Sequence, residues 1–422
     1  MALTKLQAAV IEGVLGLIWQ SPAKTSSFAA AIGNGYYLNT TTGAITVTLP
    51  SSPTVGDSIG IIDYAGTAAS NTIILTSSNN IQGSSDDKVV NYTRGALRIT
   101  YADVTQGWVA SAAANEGTSA INPLPPLVVD FLVVAGGGGG GAAPQNNISG
   151  GGGGAGGLRA SFNNEPSGGG GSSENSLSLA TGTYSIKVGL PGAGASTNAY
   201  GGDGEDSIFS NITSIGGGGG ANYDAAGKAG GSGGGSYIVV GQPAGNNPGL
   251  GTNTNNGDAT NQGYNGGTVI QGSASGGGGG AGGVGVSSDY TVLQTGNGGD
   301  GIQSTISNVS PTPFYAGGGG GGKYNTEAGG PGTGGSGVGG GGGPARGSNG
   351  GIAATNTGSG GGGSGDGGSG GNGGSGVIIL RYPNNYTAVF SSGVIQVEDN
   401  SVTGVKINTI TTAGTGSTIT FS

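Results

Sequence analysis

Apolar and polar positions alternate with period two through much of the first quarter of the chain. In "GYYLNTTTGAITVTLP", Ile45, Val47 and Leu49 fall on one face, and Thr46 and Thr48 on the other. That is the pattern of a half-buried strand. Leu97, Ile99 and Tyr101 alternate with Arg98, Thr100 and Ala102 in the same way. Between them lie the strand-like segments "SIGIIDYAG", "NTIILTSS" and "KVVNYTRG", parted by the turn segments "SSPTVGD" and "SNNIQGSSDD". Short strands at regular spacing predict a small β-sandwich or barrel over residues 27–113, with Trp108 closing its core.

The pattern is different at the N-terminus. Leu3, Leu6, Val10 and Leu17 form one apolar stripe, and Ile11, Val14, Leu15 and Ile18 form a second beside it. Two stripes on one short helix want a partner. Glu12 interrupts the apolar core that a secretory signal needs, and the run is too short and too charged to cross a bilayer. Residues 1–26 therefore read as an N-terminal anchoring segment built on a short helix that packs in a larger assembly. The other reading is a helix covering one end of its own domain. Residues 114–126, within "ANEGTSAINPLPPL", read as a linker that its prolines keep extended.

From Leu127 the chain is strongly strand-like in "LVVDFLVVA", and a comparable segment, "GVIILRYP", recurs at Gly376–Pro383. Almost all the glycine lies between them. The two segments are expected to pair and so bring together the ends of a glycine-rich domain spanning residues 127–383. Residues 384–422 again alternate Val, Ile and Thr and read as a C-terminal β segment, either an intertwined tail strand or a terminal interaction segment.

The chain holds 105 Gly and 16 Pro in 422 residues, a content that usually signals low complexity. Yet only 8% is charged and 33% is hydrophobic, unlike most disordered chains. The glycine is concentrated in runs, among them Gly136–Gly141, Gly150–Gly154, Gly216–Gly220, Gly276–Gly280, Gly317–Gly322 and Gly360–Gly363. Flexible tethers mix Ser and polar residues through their glycine, and these runs are purer than that. The alternative is a bundle of extended threefold helices, in which a six-residue run reaches roughly 19 Å and backbone groups point outward in three directions. Without Cβ atoms such helices can approach until those groups bond laterally, which gives every buried backbone group a partner. The expected fold class is thus mainly β: an N-terminal short helix, a small β-sandwich or barrel, then packed polyglycine type II helices bracketed by β-strands.

Composition narrows the chemistry. A net charge of −9, with only 12 Lys and Arg, leaves no basic face for nucleic acid. With no Cys there are no disulfides and no thiolate metal sites. With no His there is no Ser–His–Asp triad, and no pair of acidic residues stands out for glycoside hydrolysis. "GGDGEDSIF" fits a calcium-binding nonapeptide, but that motif works in tandem and occurs here once. Neither enzyme activity nor a cofactor nor a metal is expected.

Binding residues concentrate on loops held by a rigid scaffold. The connectors between glycine runs are rich in Asn, Tyr, Ser and Thr, as antibody paratopes are. Tyr223, Tyr264, Tyr290, Phe314, Tyr315 and Tyr324 would supply rigid contact area. Asn222, Asn261, Asn265 and Asn325 stand close to several of them in sequence. For any single tyrosine, capping of the lattice edge is the competing role.

Four blocks occur in order: "FLVVAGGGGGG", "LSLATGTYSIKVGLPGAG", "GGDGEDSIFSNITSIGGGGG" and "GGSGVIILRYP". Together they resemble the glycine-rich domain of bacteriophage tail fibres and tail-tip adhesins over about Leu127–Pro383. The segment from "YYLNTTTGAITVTLP" to "NTIIL", with "NIQG" and "YADVTQGW", resembles modules of marine-phage tail-fibre proteins. "VEDNSVTGVKI" is similar to connectors in such proteins. The resemblance implies a virion tail-fibre protein that recognises a bacterial surface glycan or outer-membrane protein through loops on a polyglycine lattice. It would attach to other tail proteins through its N-terminal region, as a homotrimer by the usual symmetry of fibres. A purely structural head, collar or tail fibre is the alternative, and a polysaccharide depolymerase is a third class.

Overall fold

The computed structural model describes residues 16–113, 122–145, 148–223, 226–237, 248–252, 261–271, 275–289, 296–324 and 330–422. They form two compact units. The first runs to Leu127 and takes in Pro383–Tyr386 and Asn400–Val405; the second holds Val128–Tyr382, Thr387–Asp399 and Lys406–Ser422.

The first unit contains β1 (Ile18–Lys24), β2 (Phe28–Ala29), β3 (Asn34–Leu38), β4 (Ile45–Thr48) and β5 (Ser58–Asp63). It continues with β6 (Ile73–Thr76), β7 (Lys88–Val90), β8 (Ala96–Asp103), β9 (Gly107–Ala113) and β10 (Asn122–Pro123). They make two sheets, β1-β3-β5-β8-β9 and β10-β7-β6-β4-β2. Consecutive strands up to β6 alternate between the sheets, so β1, β3 and β5 lie parallel, as do β2, β4 and β6. The sheets close on one core. Tyr36, Leu38, Ile59, Ile61, Leu97 and Ile99 from one meet Ile45, Val47, Ile73, Leu75 and Val90 from the other. Two facing sheets, with no barrel, fulfil the sandwich side of the expectation. The alternations at Ile45–Leu49 and Leu97–Tyr101 are buried and exposed as read, and Trp108 is fully buried against Tyr101.

The N-terminal helix is not seen where the chain is described. Residues 1–15 lie outside the described residues, and Ile18–Lys24 is a strand. Ile18, Trp19 and Gln20 pair with Asn34, Gly35 and Tyr36, so sheet-edge pairing overrides the helical spacing of Leu17 and Ile18. Most of the expected linker, 114–121, is also outside the described residues, while Asn122–Pro123 pairs with β7.

One buried carboxylate organises a turn in this unit. Asp63 is 1% exposed and accepts the backbone N–H groups of Gly66, Thr67, Ala68 and Arg94 at 2.9–3.3 Å. Charge-assisted bonds to several amides offset the desolvation of the carboxylate.

The second unit opens with β11 (Leu127–Val134), β12 (Leu158–Ala160), β13 (Leu177–Leu179), β14 (Gly182–Lys187), β15 (Ser207–Phe209) and β16 (Ile212–Ser214). Then come β17 (Val269–Gln271), β18 (Ser288–Asp289), β19 (Ile302–Gln303) and β20 (Phe314–Tyr315). It ends with β21 (Val377–Pro383), β22 (Ala388–Phe390), β23 (Ile395–Asp399), β24 (Val405–Thr412) and β25 (Thr418–Phe421). As expected, β11 and β21 pair, antiparallel, from Asp130↔Arg381 to Val134↔Val377. The C-terminal strands are integral to this unit: β24 lies beside β21, and β25 beside β14. Tyr382 of β21 and Phe421 of β25 stack edge to face at 5.1 Å.

Beyond β11 the chain enters Gly136–Gly141, which belongs to no strand or helix. Its N–H groups turn through three directions and repeat. Gly136 and Gly139 donate to Glu205 and Gly202, Gly137 and Gly140 to Gly374 and Gly371, and Gly138 and Gly141 to Gly154 and Gly151. Its carbonyls accept with the same period, from Gly217 and Gly220, from Gly192 and Ala195, and from Gly361 and Ser364. Six segments thus surround the run, three antiparallel ones that accept from it and three parallel ones that donate to it. Gly318–Lys323 shows the same three-residue period, donating to Gly299 and Gly296 and to Gly153 and Gly150 on antiparallel segments and to Gly340 and Gly343 on a parallel one.

Such packing explains the purity of the runs. A Cβ on Gly136, Gly137, Gly139, Gly140 or Gly141 would sit 1.9–2.1 Å from a neighbouring carbonyl oxygen. Gly140→Ala, 1.9 Å from the Gly362 oxygen, is expected to destabilise this unit by about 1–3 kcal/mol or more. Gly414→Ala, with nothing within 4 Å, should stay within about 0.5 kcal/mol of the parent. Denaturant titration of both variants checks the contrast. Asp63→Ala leaves the buried Ala68 N–H and the part-buried N–H groups of Gly66, Thr67 and Arg94 without their acceptor and should cost about 1–3 kcal/mol in the first unit, read the same way.

Candidate functional site

The hydrogen-bond register assigns each connector to an end of the glycine-run body. Gly136 leaves the β11 sheet, so the end near Gly141 is the one far from the sheets. Gly217–Gly220 runs parallel to Gly136–Gly139, so Asn222 and Tyr223 follow at that far end. Gly319 and Gly322 donate to Gly153 and Gly150, a run antiparallel to Gly136–Gly141, so Tyr324 also lies at the far end. Phe314 and Tyr315 precede Gly317 and sit at the sheet end. Tyr264 and Asn265 fall inside a run: Tyr264 donates to Gly280 and accepts from Gly233. Tyr290 and Asn325 lie outside the described residues. The sequence-predicted contact residues therefore occupy three neighbourhoods rather than one patch.

Their surroundings differ as well. Tyr223 stacks edge to face on Tyr237 at 6.2 Å and packs on Ala143, Ile148 and Ala221. Asn222 is buried and donates through Nδ2 to the Asn198 carbonyl at 3.3 Å. Asn265 Oδ1 accepts the Gly251 N–H at 2.8 Å, so it completes the lattice. Tyr315 is buried in the β19–β20 ribbon, and Phe314 beside it is half-buried. Glu165 holds that ribbon by accepting from Ser304 Oγ, Thr305 Oγ1 and the Thr305 N–H. Burial raises the Tyr315 hydroxyl pKa; a hydrogen bond with Ser307 opposes the shift, and the Glu165 charge adds to it.

The sequence of a glycine-rich domain matches residues 111–383. The chain belongs to that glycine-rich domain family. No curated protein matches it.

Sequence reasoning missed one use of polar side chains in the glycine-rich domain. Asp203 and Asp206 accept the N–H groups of Gly219 and Gly216 at 2.9 and 2.8 Å. Both belong to the nonapeptide-like "GGDGEDSIF", where each carboxylate stands in for a backbone carbonyl at the lattice edge. Asn297, Asn349 and Asn372 do the same for Thr333, Ser369 and Gly194 at 2.8–2.9 Å. The signal was present as the three-residue spacing of Asp203 and Asp206, which matches the period of the runs. Among the described residues no group of three or more acidic side chains could hold a metal ion.

One ion pair of the domain is a fork. Arg159 Nε and Nη2 donate to Glu174 Oε1 and Oε2 at 2.7 and 2.6 Å. Bidentate geometry and partial burial make it stronger than a surface pair.

The buried phenols set a pH limit. Burial raises Tyr315, Tyr382 and Tyr386 above 10.0, with the negative charge of Glu165, Glu398 and Asp87 respectively adding to it. A raised folded-state pKa means that the folded chain holds these protons more tightly than the unfolded chain. Their contribution is complete below about pH 10 and is lost as pH rises through the folded-state values. Urea midpoints should therefore fall steadily above about pH 10, and Tyr382→Phe should flatten that fall.

Proposed function

We propose that the chain is a bacteriophage tail-fibre receptor-binding protein, and that its glycine runs are polyglycine type II helices packed as a lattice. The threefold repeat of lateral hydrogen bonds around Gly136–Gly141 supports the lattice reading, since a helix of three residues per turn without internal bonds presents its N–H groups that way. The order of the four glycine-rich blocks supports the assignment to a fibre. The adhesive surface in this reading is the far end of the body, where the connectors carrying Tyr223 and Tyr324 leave the lattice. A body fastened by hydrogen bonds in every lateral direction fixes the points at which Tyr223 and Tyr324 leave it, which lowers the ordering cost of binding. The ligand is a bacterial surface glycan or outer-membrane protein, the N-terminal region joins other tail proteins, and the virion carries the protein as a homotrimer.

The structural-fibre reading draws its support from Asn222, Asn265 and Tyr315, whose polar groups or side chains serve the body itself. The two readings part on cell binding. Labelled full-length protein should bind intact cells of a host of the parent phage saturably. Tyr223→Ala together with Tyr324→Ala should weaken binding by about tenfold or more, and Phe314→Ala at the sheet end should leave it unchanged. Absence of binding by the folded chain on every host of the parent phage would leave the structural fibre standing.

A further inference from the structure

The outer face of the β1-β3-β5-β8-β9 sheet carries an arrangement that the tail-fibre reading does not use. Trp19, Gly35, Gly60 and Arg98 stand in register across four neighbouring strands. Gly35 gives the indole its seat, and Leu17 and the far edge of the indole share the space over Gly60. A Cβ on Gly35 would lie 2.6 Å from the Trp19 ring, and one on Gly60 would lie 2.4 Å from Leu17 Cδ1 and 3.3 Å from the ring's far edge. Covering bare glycine on a sheet in this way is itself stabilising. It also lays the ring along the sheet, with one face supported and the residue 41% exposed. Tyr37 continues the surface at 5.0 Å from Trp19, and Tyr64, 57% exposed, follows at 6.3 Å from Tyr37.

Beside the rings lies a polar row. Arg98 Nη2 donates to Ser58 Oγ at 3.3 Å, Ser58 and Thr100 share a hydrogen bond at 2.9 Å, and Thr100 and Ser111 share one at 2.8 Å. The charges are one-sided. Neither Arg98 nor Arg94, whose guanidinium donates to the Tyr64 carbonyl, forms an ion pair among the described residues. The acidic side chains on these strands are occupied elsewhere: Asp63 is buried on its four amides, and Asp103 accepts the Thr105 and Gln106 N–H groups at the hairpin. An acidic protein, with net charge −9, thus presents here a face of aromatic rings, hydroxyls and arginine.

We propose that this face is a binding site for an acidic saccharide, an oligomer of hexuronic acid. The C–H face of a pyranose ring suits the electron-rich face of the indole, while the guanidinium of Arg98 matches a carboxylate with two parallel donors. Thr100 and Ser111 supply partners for sugar hydroxyls, while the buried Ser58 braces Thr100 and Arg98. Charge complementarity selects uronate over a neutral sugar, and the open, flat surface selects a chain over a small enclosed ligand.

The two tryptophans make the test direct, because Trp108 is fully buried and Trp19 is not. Full-length protein is titrated with oligogalacturonate of three to six units and, separately, with maltohexaose, reading acrylamide quenching and heat of binding. Oligogalacturonate should shield Trp19 saturably. The interaction should weaken as salt rises, because the charges are exposed. Arg98→Gln, with an unchanged melting temperature, should weaken it by about tenfold or more, as loss of a bidentate carboxylate contact implies. Trp19→Phe should weaken it in calorimetry. Equal affinity for maltohexaose, or undiminished affinity in Arg98→Gln, would overturn the assignment to an acidic sugar. So would a Trp19 already shielded in the free chain, by residues 1–15 or by a second copy, or a Trp19 open to acrylamide that oligogalacturonate leaves unprotected.

Discussion

The glycine-rich unit depends on one contact distance. Neighbouring runs approach so closely that a Cβ would fall about 2 Å from a carbonyl oxygen, and that approach lets N–H groups in three directions reach acceptors near 2.9 Å. Few side chains provide cohesion in the interior of this body, the small buried Ser149, Ser275 and Ser364 among them. Lateral backbone hydrogen bonds and close packing do, and each run needs several neighbours at once. Ordering glycine costs about 0.5–1 kcal/mol per residue more than ordering alanine, so an isolated run has no reason to hold its shape. The closure of β11 on β21, with Phe131, Leu132 and Val133 fully buried, supplies an apolar end from which the lattice departs and to which it returns.

The same constraint sorts the polar residues. Inside the body there is room for little more than serine or alanine, so most larger polar groups collect where the lattice ends. There they either replace a missing carbonyl, as Asp203, Asp206 and Asn265 do, or leave the lattice on a connector, as Tyr223 and Tyr324 do. Large side chains in this unit thereby lie mostly at its edges and ends. The first unit follows ordinary rules, with a buried apolar core between two sheets and one sheet face open to solvent, and its surface chemistry rests on side chains. The bare glycines Gly35 and Gly60 show the two styles meeting: lacking Cβ atoms, they let the Trp19 indole and the Leu17 side chain lie against the sheet.

Much of this was legible in the chain. The alternation of Ile45, Val47 and Leu49, the pairing of "LVVDFLVVA" with "GVIILRYP", and the buried role of Trp108 follow from hydrophobic pattern alone. Purity of the glycine runs announced close approach, because nothing but sterics forbids alanine so consistently. The candidate site was legible only as a set of residue types. Tyr315 and Tyr324 stand nine positions apart in one glycine-bounded stretch, yet lie at opposite ends of the body.

The sequence by itself determined that the chain is mainly β, that its glycine must pack, and that its connectors carry aromatic and amide side chains. Local spacing is enough for these, since burial alternates with the pleat and steric exclusion acts residue by residue. Tertiary structure decided which strands run parallel, why Ile18–Lys24 is strand, and which end of the body each connector occupies. It also decided that Trp19 lies in line with Arg98, 79 positions later in the chain. Those outcomes depend on which backbone groups meet across long separations, and a backbone N–H is the same group in every residue except proline. Only the assembled lattice and sheets distinguish one such partner from another.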